Sequence, residues 1–554
     1  MMTAPLTLDW VGLFHQMQLS NLSFLAPELA LVVTLLVLLG YAMSASAKQP
    51  ALVCSTTGCD KTPLLMSVSG ILVALVTLLT QAGLLSSNTY SVMQVFQVDG
   101  LSFTARVLIL IGSLLVSMLL AKHVAVFSAK RQAEIFLLML TAVLGSMLLT
   151  GASEMITLFV ALETLSIPSY ILVGLLQRGH APSAEASLKY LIYGGVASAF
   201  LLLGFSFWYG LAGGVTTFAD LAGVTVATGN QFGLFAGFTV VSILVALGFK
   251  LSAAPFHMWT PDVYEGAPTP VATFLGTVSK LAGFTVAFRL AALLGNIDMH
   301  AWQGVMLTLA IASMVVGNLA ALKQTNAKRL LAYSTIAQSG YMLLGLVYPN
   351  VEVSSGMFFY LACYTFMSFA AFAGVTYFQE LTGSKAALAD FSGLVQKRPM
   401  LTFGLVVALL ALAGIPVTSG FFAKFFLFES LAAIAQPSLT SPVPWATWLV
   451  IIALLNSTVS LFYYVGWVKT LVVDAPSDTV KALEVKPAIT QGFQVNPSAV
   501  VLAVATLVTL VLGFTSESAL TLMKKAVAPS LQQASVGQPA SPVTVPAPMG
   551  MPQP

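Results

Sequence analysis

Residues 233–265 read GLFAGFTVVSILVALGFKLSAAPFHMWTPDVYE, and residues 413–428 read AGIPVTSGFFAKFFLF. Each stretch belongs to an apolar run that is long enough to cross a bilayer and then breaks. In the first, Lys250 stands five residues before Pro255; in the second, Gly414, Pro416 and Gly420 interrupt the run and Lys424 follows. Proline removes a backbone donor and clashes with the preceding helical turn. Irregular backbone at membrane depth persists only where protein buries it or where it lines a wet cavity. A lysine at the centre of a spanning helix costs about 2.5–3.5 kcal/mol even on insertion scales. A break and a lysine together therefore mark an interior site in a membrane protein.

The bulk composition agrees. Of 554 residues, 58% are hydrophobic and 8% are charged, with a mean hydropathy of +0.91. Soluble domains carry about 25% charge, so this chain lacks the means to keep a soluble surface wet, and lipid is the solvent it fits. Apolar runs place spans near 26–43, 64–86, 101–120, 135–150, 153–176, 186–212, 233–265, 271–295, 302–322, 330–347, 354–379, 401–435, 444–468 and 499–516. The expected fold is an all-α integral membrane protein of about 14 transmembrane helices.

Basic residues test this layout. Numbering the connections alternately from an outer N-terminus puts Lys48, Lys61, Lys122, Lys130, Arg131, Arg178, Lys323, Lys328, Arg329, Lys385, Lys397, Arg398, Lys469, Lys481 and Lys486 on the inner side, and only Lys524 and Lys525 on the outer side. A miscounted span would mix the two sets, so the positive-inside rule supports both the count and the orientation, with both termini outside. The two broken spans are the seventh and the twelfth. Five apart, they run in opposite directions, and each is fourth in a five-helix set. Matched discontinuous helices are the sequence pointer to inverted repeats. The expected organisation is 1–134 (helices 1–3), 135–295 (first five-helix repeat), 302–468 (second repeat), 469–527 (cytoplasmic loop and helix 14) and a disordered Pro/Ala-rich tail, 528–554.

Six further basic residues, Arg106, Lys189, Lys250, Lys280, Arg289 and Lys424, lie inside spans, as does Glu163. Lys280 is ten residues into its span, too deep to snorkel comfortably. Lys250 and Lys424 beside breaks either handle protons or satisfy freed carbonyls. Glu163 is either protonated and hydrogen-bonded or paired with a lysine. Lys189 lies close enough to the inner end to snorkel, and Arg106 and Arg289 near the outer ends read as snorkelling or packing residues. His257, just after the break, is either a proton relay or a capped loop histidine. Asp262 and Glu265 read as inner-side loop acids or helix caps.

Cys54, Cys59 and Cys363 are the only cysteines, fewer than the four ligands of an Fe–S cluster. The first two flank a polar loop and read as loop thiols, with a disulfide or metal site as the alternative. No GxGxxG or Walker-type loop is visible, so no redox cofactor, nucleotide or metal is expected on this chain. Residues 1–25 hold no Lys or Arg, which argues against a cleaved signal peptide.

The strings LETLSIPSYILVG (162–174), EASLKYLIYGG (185–195), GFKLSAAPFHMWTPDVYEGAPTPV (248–271), KRLLAYSTIAQSGYMLLG (328–345) and AGIPVTSGFFAKFFLF (413–428) resemble the antiporter-like membrane subunits of respiratory complex I, the NADH–quinone oxidoreductase, and of the cyanobacterial and chloroplast NAD(P)H dehydrogenase. The resemblance covers about 100–430, over half the chain. It implies a proton-translocating subunit in a cell (inner) or thylakoid membrane, partnered by other membrane-arm subunits. FMN, Fe–S clusters and quinone would lie on those other subunits. It assigns proton translocation to Glu163, paired with Lys250, and to Lys189, Lys280 and Lys424. Gln338 stands where many relatives have a histidine, so a relay there would need water or the nearby Tyr333 and Ser339. The alternative is a subunit of a multisubunit sodium/proton antiporter. A purely structural scaffold has no need of the buried charges.

Reporter fusions at Lys130, Lys328 and Lys397 are expected to report the inner side; an outer-side signal at any of them would overturn the orientation.

Overall fold

Helix starts fall where the side chains can take up the free N–H groups of a first turn. Asp99 caps the helix Gly100–Val124 through Ser102 in a reciprocal capping box, Asn326 caps Ala327–Val347, and Asn350 caps Val351–Thr382. The computed structural model describes residues 19–45, 61–82, 89–175, 181–221, 233–434, 445–483 and 496–535. Cys54, Cys59, Arg178 and the tail beyond 535 lie outside them.

The described residues form helices α1 (Ala26–Ser44), α2 (Thr62–Thr80), α3 (Gly100–Val124), α4 (Ala129–Gly151), α5 (Met155–Leu175), α6 (Ala181–Leu211), α7 (Gly233–Leu251), α8 (Trp259–Gly266), α9 (Thr269–Gly276), α10 (Val278–Ala321), α11 (Ala327–Val347), α12 (Val351–Thr382), α13 (Pro399–Ala413), α14 (Ser419–Ile434), α15 (Trp445–Val472), α16 (Pro497–Phe514) and α17 (Ser516–Ser535). Thirteen segments are long and apolar enough to span, among them 269–291 and 301–321, which share α10. The broken pair α13 and α14 makes the remaining one of the expected 14. Segments 269–291 and α12 are wholly buried and α11 nearly so, whereas α1, α6 and α15 bury about a third or less of their length. The core therefore sits on the eighth, tenth and eleventh spans.

Side-chain contacts sort the helix ends onto two faces. On one, Lys122 meets Glu380 at 3.1 Å, Arg131 donates to the Leu175 carbonyl, Arg329 meets Asp262 and Glu265, and Asn496 donates to Glu380. On the other, Arg106 meets Glu28 at 3.0 Å, Arg289 meets Asp99 at 2.8 Å and donates to the Thr150 carbonyl, and Lys524 meets Glu352. Every one of these groups falls on the side that span alternation assigns to it.

Two features depart from the sequence reading. A short antiparallel ribbon, β1 (Tyr90–Val92) with β2 (Phe96–Val98), precedes α3 and packs Val92, Phe96 and Val98 on Phe24. Residues 528–535, expected as disordered tail, continue α17, and Ser530 donates to Asp99 at 2.7 Å. Of the two readings of Arg106 and Arg289, packing holds and snorkelling does not. Both are buried, because Glu28 and Asp99 supply carboxylates within the protein.

Removing one member of a buried ion pair strands the other, at a cost of about 3–5 kcal/mol, whereas replacing both by apolar groups is often nearly neutral. Arg106→Leu is therefore expected to lower stability by about 3–5 kcal/mol, and Arg106→Leu with Glu28→Leu to recover most of it, measured by thermal unfolding in detergent.

Candidate functional site

Each broken span ends its first half in carbonyls that have no helical partner, and a lysine meets each set. α7 stops at Leu251, where Ser252 takes φ 58°. Lys280 Nζ donates to the Leu251 carbonyl at 2.8 Å. Trp259 Nε1 donates to the Phe249 carbonyl at 3.1 Å, and the Ala254 N–H donates to Ser313 Oγ at 2.8 Å. α13 closes on Gly414 at φ 86°. Lys424 Nζ donates to the carbonyls of Ala413 at 3.0 Å and Leu412 at 3.4 Å, and to Ser457 Oγ at 3.0 Å. The two halves of this span close on each other because residue 420 is glycine: a Cβ there would lie 1.8 Å from the Ala411 carbonyl oxygen. A helix C-terminus carries the negative end of the helix dipole and so favours an ammonium group.

At the second break the lysine beside the break, Lys424, meets the freed carbonyls. At the first the donor is Lys280 of the next span. Lys250 lies one residue from the end of α7, and side chains on a helix lean toward its N-terminus, away from the terminal carbonyls. Its Nζ reaches Ser166 Oγ at 3.3 Å instead.

The expected pairing of Glu163 with Lys250 is not formed: no ion pair within 4.0 Å joins them. Glu163 is half-buried and accepts a short hydrogen bond from Ser198 on α6. Lys250 is bonded three residues farther along α5, at Ser166. The two groups thus share one helix face, a turn apart, each held by its own serine.

Lys280 is buried and donates to Ser339 as well as to Leu251. Ser339 Oγ donates to the Thr335 carbonyl at 2.9 Å, and Tyr364 donates to Thr335 Oγ1 at 3.0 Å. The neighbouring Gln338 donates to the Leu412 carbonyl at 2.9 Å, the same carbonyl that Lys424 reaches, and to Tyr464 at 3.3 Å; it accepts from Tyr360. The partners around Gln338 are thus Tyr360 and Tyr464. Tyr333, expected in that role, is half-buried with Arg329 over its ring. Three polar groups of contacts follow one another: half-buried Glu163 and, a turn along α5, Ser166 with Lys250; Lys280 with Ser339; and Gln338 and Lys424, which share the Leu412 carbonyl. Lys250, Lys280 and Lys424 have no carboxylate within ion-pair distance among the described residues.

Lys189 differs. Its side chain is 39% exposed and bridges Glu185 and Asp262, each at 2.7 Å. Asp262 and Glu265 also bind Arg329 at 2.9 Å each. These residues are ion-paired, not merely solvated loop acids, and Glu185, Lys189, Asp262 and Glu265 line a cavity of about 130 Å³. His257 is half-buried in the segment joining α7 to α8, with Nδ1 unpartnered.

Sequence reading named Ser339 but missed the hydroxyls of Ser166, Ser198, Tyr360, Tyr464 and Ser457. Serine and tyrosine inside apolar spans were the only available signal, and most such groups bond their own helix.

Residues 152–447 match the family described as NADH:quinone oxidoreductase/Mrp antiporter, TM. The chain is 40% identical over 474 residues to a Trichormus variabilis protein named NAD(P)H-quinone oxidoreductase subunit 2, covering 84% of this chain and 86% of that one. A Nostoc protein of the same name is 39% identical over the same shares. Among solved structures, a chain of respiratory complex I from Thermus thermophilus superposes with TM-score 0.71 at 30% identity, over 90% of this chain and all of that one. A chain of the Mrp complex from Dietzia superposes with TM-score 0.75 at 19% identity, over 93% and 99%, which speaks for the fold alone.

Proposed function

The chain belongs to the NADH:quinone oxidoreductase/Mrp antiporter membrane family, and on that footing we propose that its buried lysines carry protons across the membrane for the complex in which it sits. It is a membrane-arm subunit of an NAD(P)H–quinone oxidoreductase, working with the other membrane-arm subunits. Electrons pass from the nicotinamide to quinone, and the energy released drives protons outward. On this reading flavin, Fe–S clusters and quinone belong to the other subunits, since the sequence supplies neither a phosphate loop nor four cysteines. The two repeats, with one break each, run inverted; both termini face the outer side of a bacterial or thylakoid membrane.

The observation that carries the reading is the row of three buried lysines held only by neutral acceptors. An amine fixed by a carboxylate is locked in its charged form. An amine held by carbonyls and hydroxyls can give up a proton and keep an acceptor lone pair in the same place. Lys280 and Lys424 are the central carriers. Lys189 and its acidic neighbours form the inner charged mouth, and His257 lies on the segment between the halves of the seventh span. Glu163 and Lys250 form a switch: in contact, the carboxylate holds the lysine protonated; apart, as in the arrangement described above, the lysine is free to pass its proton toward Lys280. The sodium/proton antiporter alternative rests on the Dietzia likeness at 19% identity, against 40% over most of the chain for the quinone oxidoreductase subunits.

Lys280→Ala and Lys424→Ala are expected to abolish most proton pumping while the complex still assembles, measured in sealed vesicles with NAD(P)H-driven quinone reduction. Arginine at either position should fail as well, since it stays charged at any biological pH. Normal pumping in both alanine variants would sink the proposal.

A static ion pair tolerates replacement by apolar or neutral groups; a switch does not. Glu163→Gln with Lys250→Met is expected to assemble but to pump poorly, and Glu163→Asp to retain part of the activity. Wild-type pumping in the double variant would make the pair structural.

A further inference from the structure

α8, the inner half of the seventh span, carries charge on one side and a buried phenol on another. Asp262 and Glu265 serve the charged cavity. Tyr264, between them in sequence, is fully buried. Its ring is flanked by Trp259, with centroids 6.3 Å apart, and by Phe372 at 6.0 Å. Its hydroxyl lies beside Thr335 and Tyr364, but its approach to Thr335 falls short of hydrogen-bond geometry, and among the described residues no other partner meets it. An unsatisfied buried hydroxyl costs about 1–3 kcal/mol. Phenylalanine would fill the same space without that cost, so packing does not account for the oxygen.

Two further observations place the hydroxyl on a route. Gly276 closes α9 just before Thr277, where the eighth span is interrupted at φ −122°, ψ −78°. A Cβ on residue 276 would lie 3.1 Å from the Tyr264 oxygen, so the absence of a side chain leaves room beside it. Lys280 stands one turn beyond that interruption. Along α11, Lys328, Thr335 and Ser339 lie on one stripe, at i, i+7 and i+11. Lys328 Nζ donates to the Ala267 carbonyl at the inner end of α8 at 2.8 Å. Thr335 is about 10 Å deeper, at 1.5 Å per residue, and Ser339 bonds Lys280.

We propose that the Tyr264 hydroxyl relays protons between the inner charged mouth and Lys280. Its oxygen takes a proton from water on the inner side and gives up its own toward Thr335 and Ser339, which pass one on to the unprotonated amine of Lys280. Only O–H and N–H bonds form and break, and the phenol is unchanged at the end of each transfer. The inference rests on the proton-carrying role of Lys280 proposed above.

The test uses the assembled complex in sealed vesicles, with Lys280→Ala beside it. Tyr264→Phe keeps the ring and its packing and removes only the oxygen. Proton pumping is expected to fall roughly a hundredfold, the lower end of the range for a positioned proton-transfer group, with the complex present in normal amount. The solvent deuterium isotope effect on quinone reduction should rise, because proton delivery becomes limiting; a tyrosine serving only as packing would leave it unchanged. Gly276→Ala, which crowds the hydroxyl while leaving the ring, is expected to impair pumping in the wild type and to add little to Tyr264→Phe. Where Tyr264→Phe does not accumulate, Gly276→Ala alone decides: unchanged pumping and isotope effect overturn the proposal. Normal pumping in assembled Tyr264→Phe overturns it too, while failure in Lys280→Ala shows that the underlying reading stands. Normal pumping in Lys280→Ala removes the reading and the relay together.

Discussion

The contact between a lysine ammonium and the open carbonyl end of a half-helix is what the interior of this protein is built around. A helix that stops at mid-depth leaves up to four carbonyls without donors, in a medium where each costs several kcal/mol. A lysine at mid-depth is equally costly alone. Put together, each removes the other's penalty, and neither needs a counter-ion. Leu251 with Lys280, and Ala413 with Lys424, are two solutions of this kind. In the first the lysine comes from the neighbouring span; in the second it comes from the other half of the broken one. The breaks require the lysines as much as the lysines require the breaks.

The buried cations fall into two classes with different consequences. Arg106 and Arg289 are tied to carboxylates near one face and join α3 to α1 and the eighth span to the start of α3. A guanidinium keeps its charge at biological pH, so these are permanent struts. Lys250, Lys280 and Lys424 are tied to serines and carbonyls. Those acceptors tolerate either form of the amine; Ser339 meets Lys280, and the neighbouring Gln338 shares the Leu412 carbonyl with Lys424. Rigid frame and mutable centre are thus separated by residue type as well as by depth.

Much of this was legible in the sequence, because the bilayer reduces the reading to a few strong penalties. Fifteen basic residues against two in the connections set the alternation, and the contacts at the two faces agree with it. Proline and glycine beside lysine marked both breaks. Partner identity was less legible. Helical spacing says which face a side chain occupies but not which neighbour meets it, so Tyr333 looked as suitable beside Gln338 as Tyr360 and Tyr464. Glu28 and Asp99 sit at span boundaries, where an acid ordinarily meets water, and nothing local shows that each is covered by protein. Glu163 and Lys250 were matched by charge, but serines on α5 and α6 compete for the same groups at short range. In α17, the Pro- and Gln-rich composition of the tail outweighed the apolar face formed by Met523, Ala526 and Val527.

That helix has a bearing on how the chain is made. Asp99 is fully buried and receives bonds from Gln97, Ser102, Arg289 and Ser530. The last of these donors lies 431 residues downstream, after every span has been inserted. An acid near the start of the third span is thus left short of a donor until the helix after the last span has been made. A chain ending after α16 would hold all the spans described above yet leave Asp99 with one donor fewer, a defect far in sequence from the missing residues.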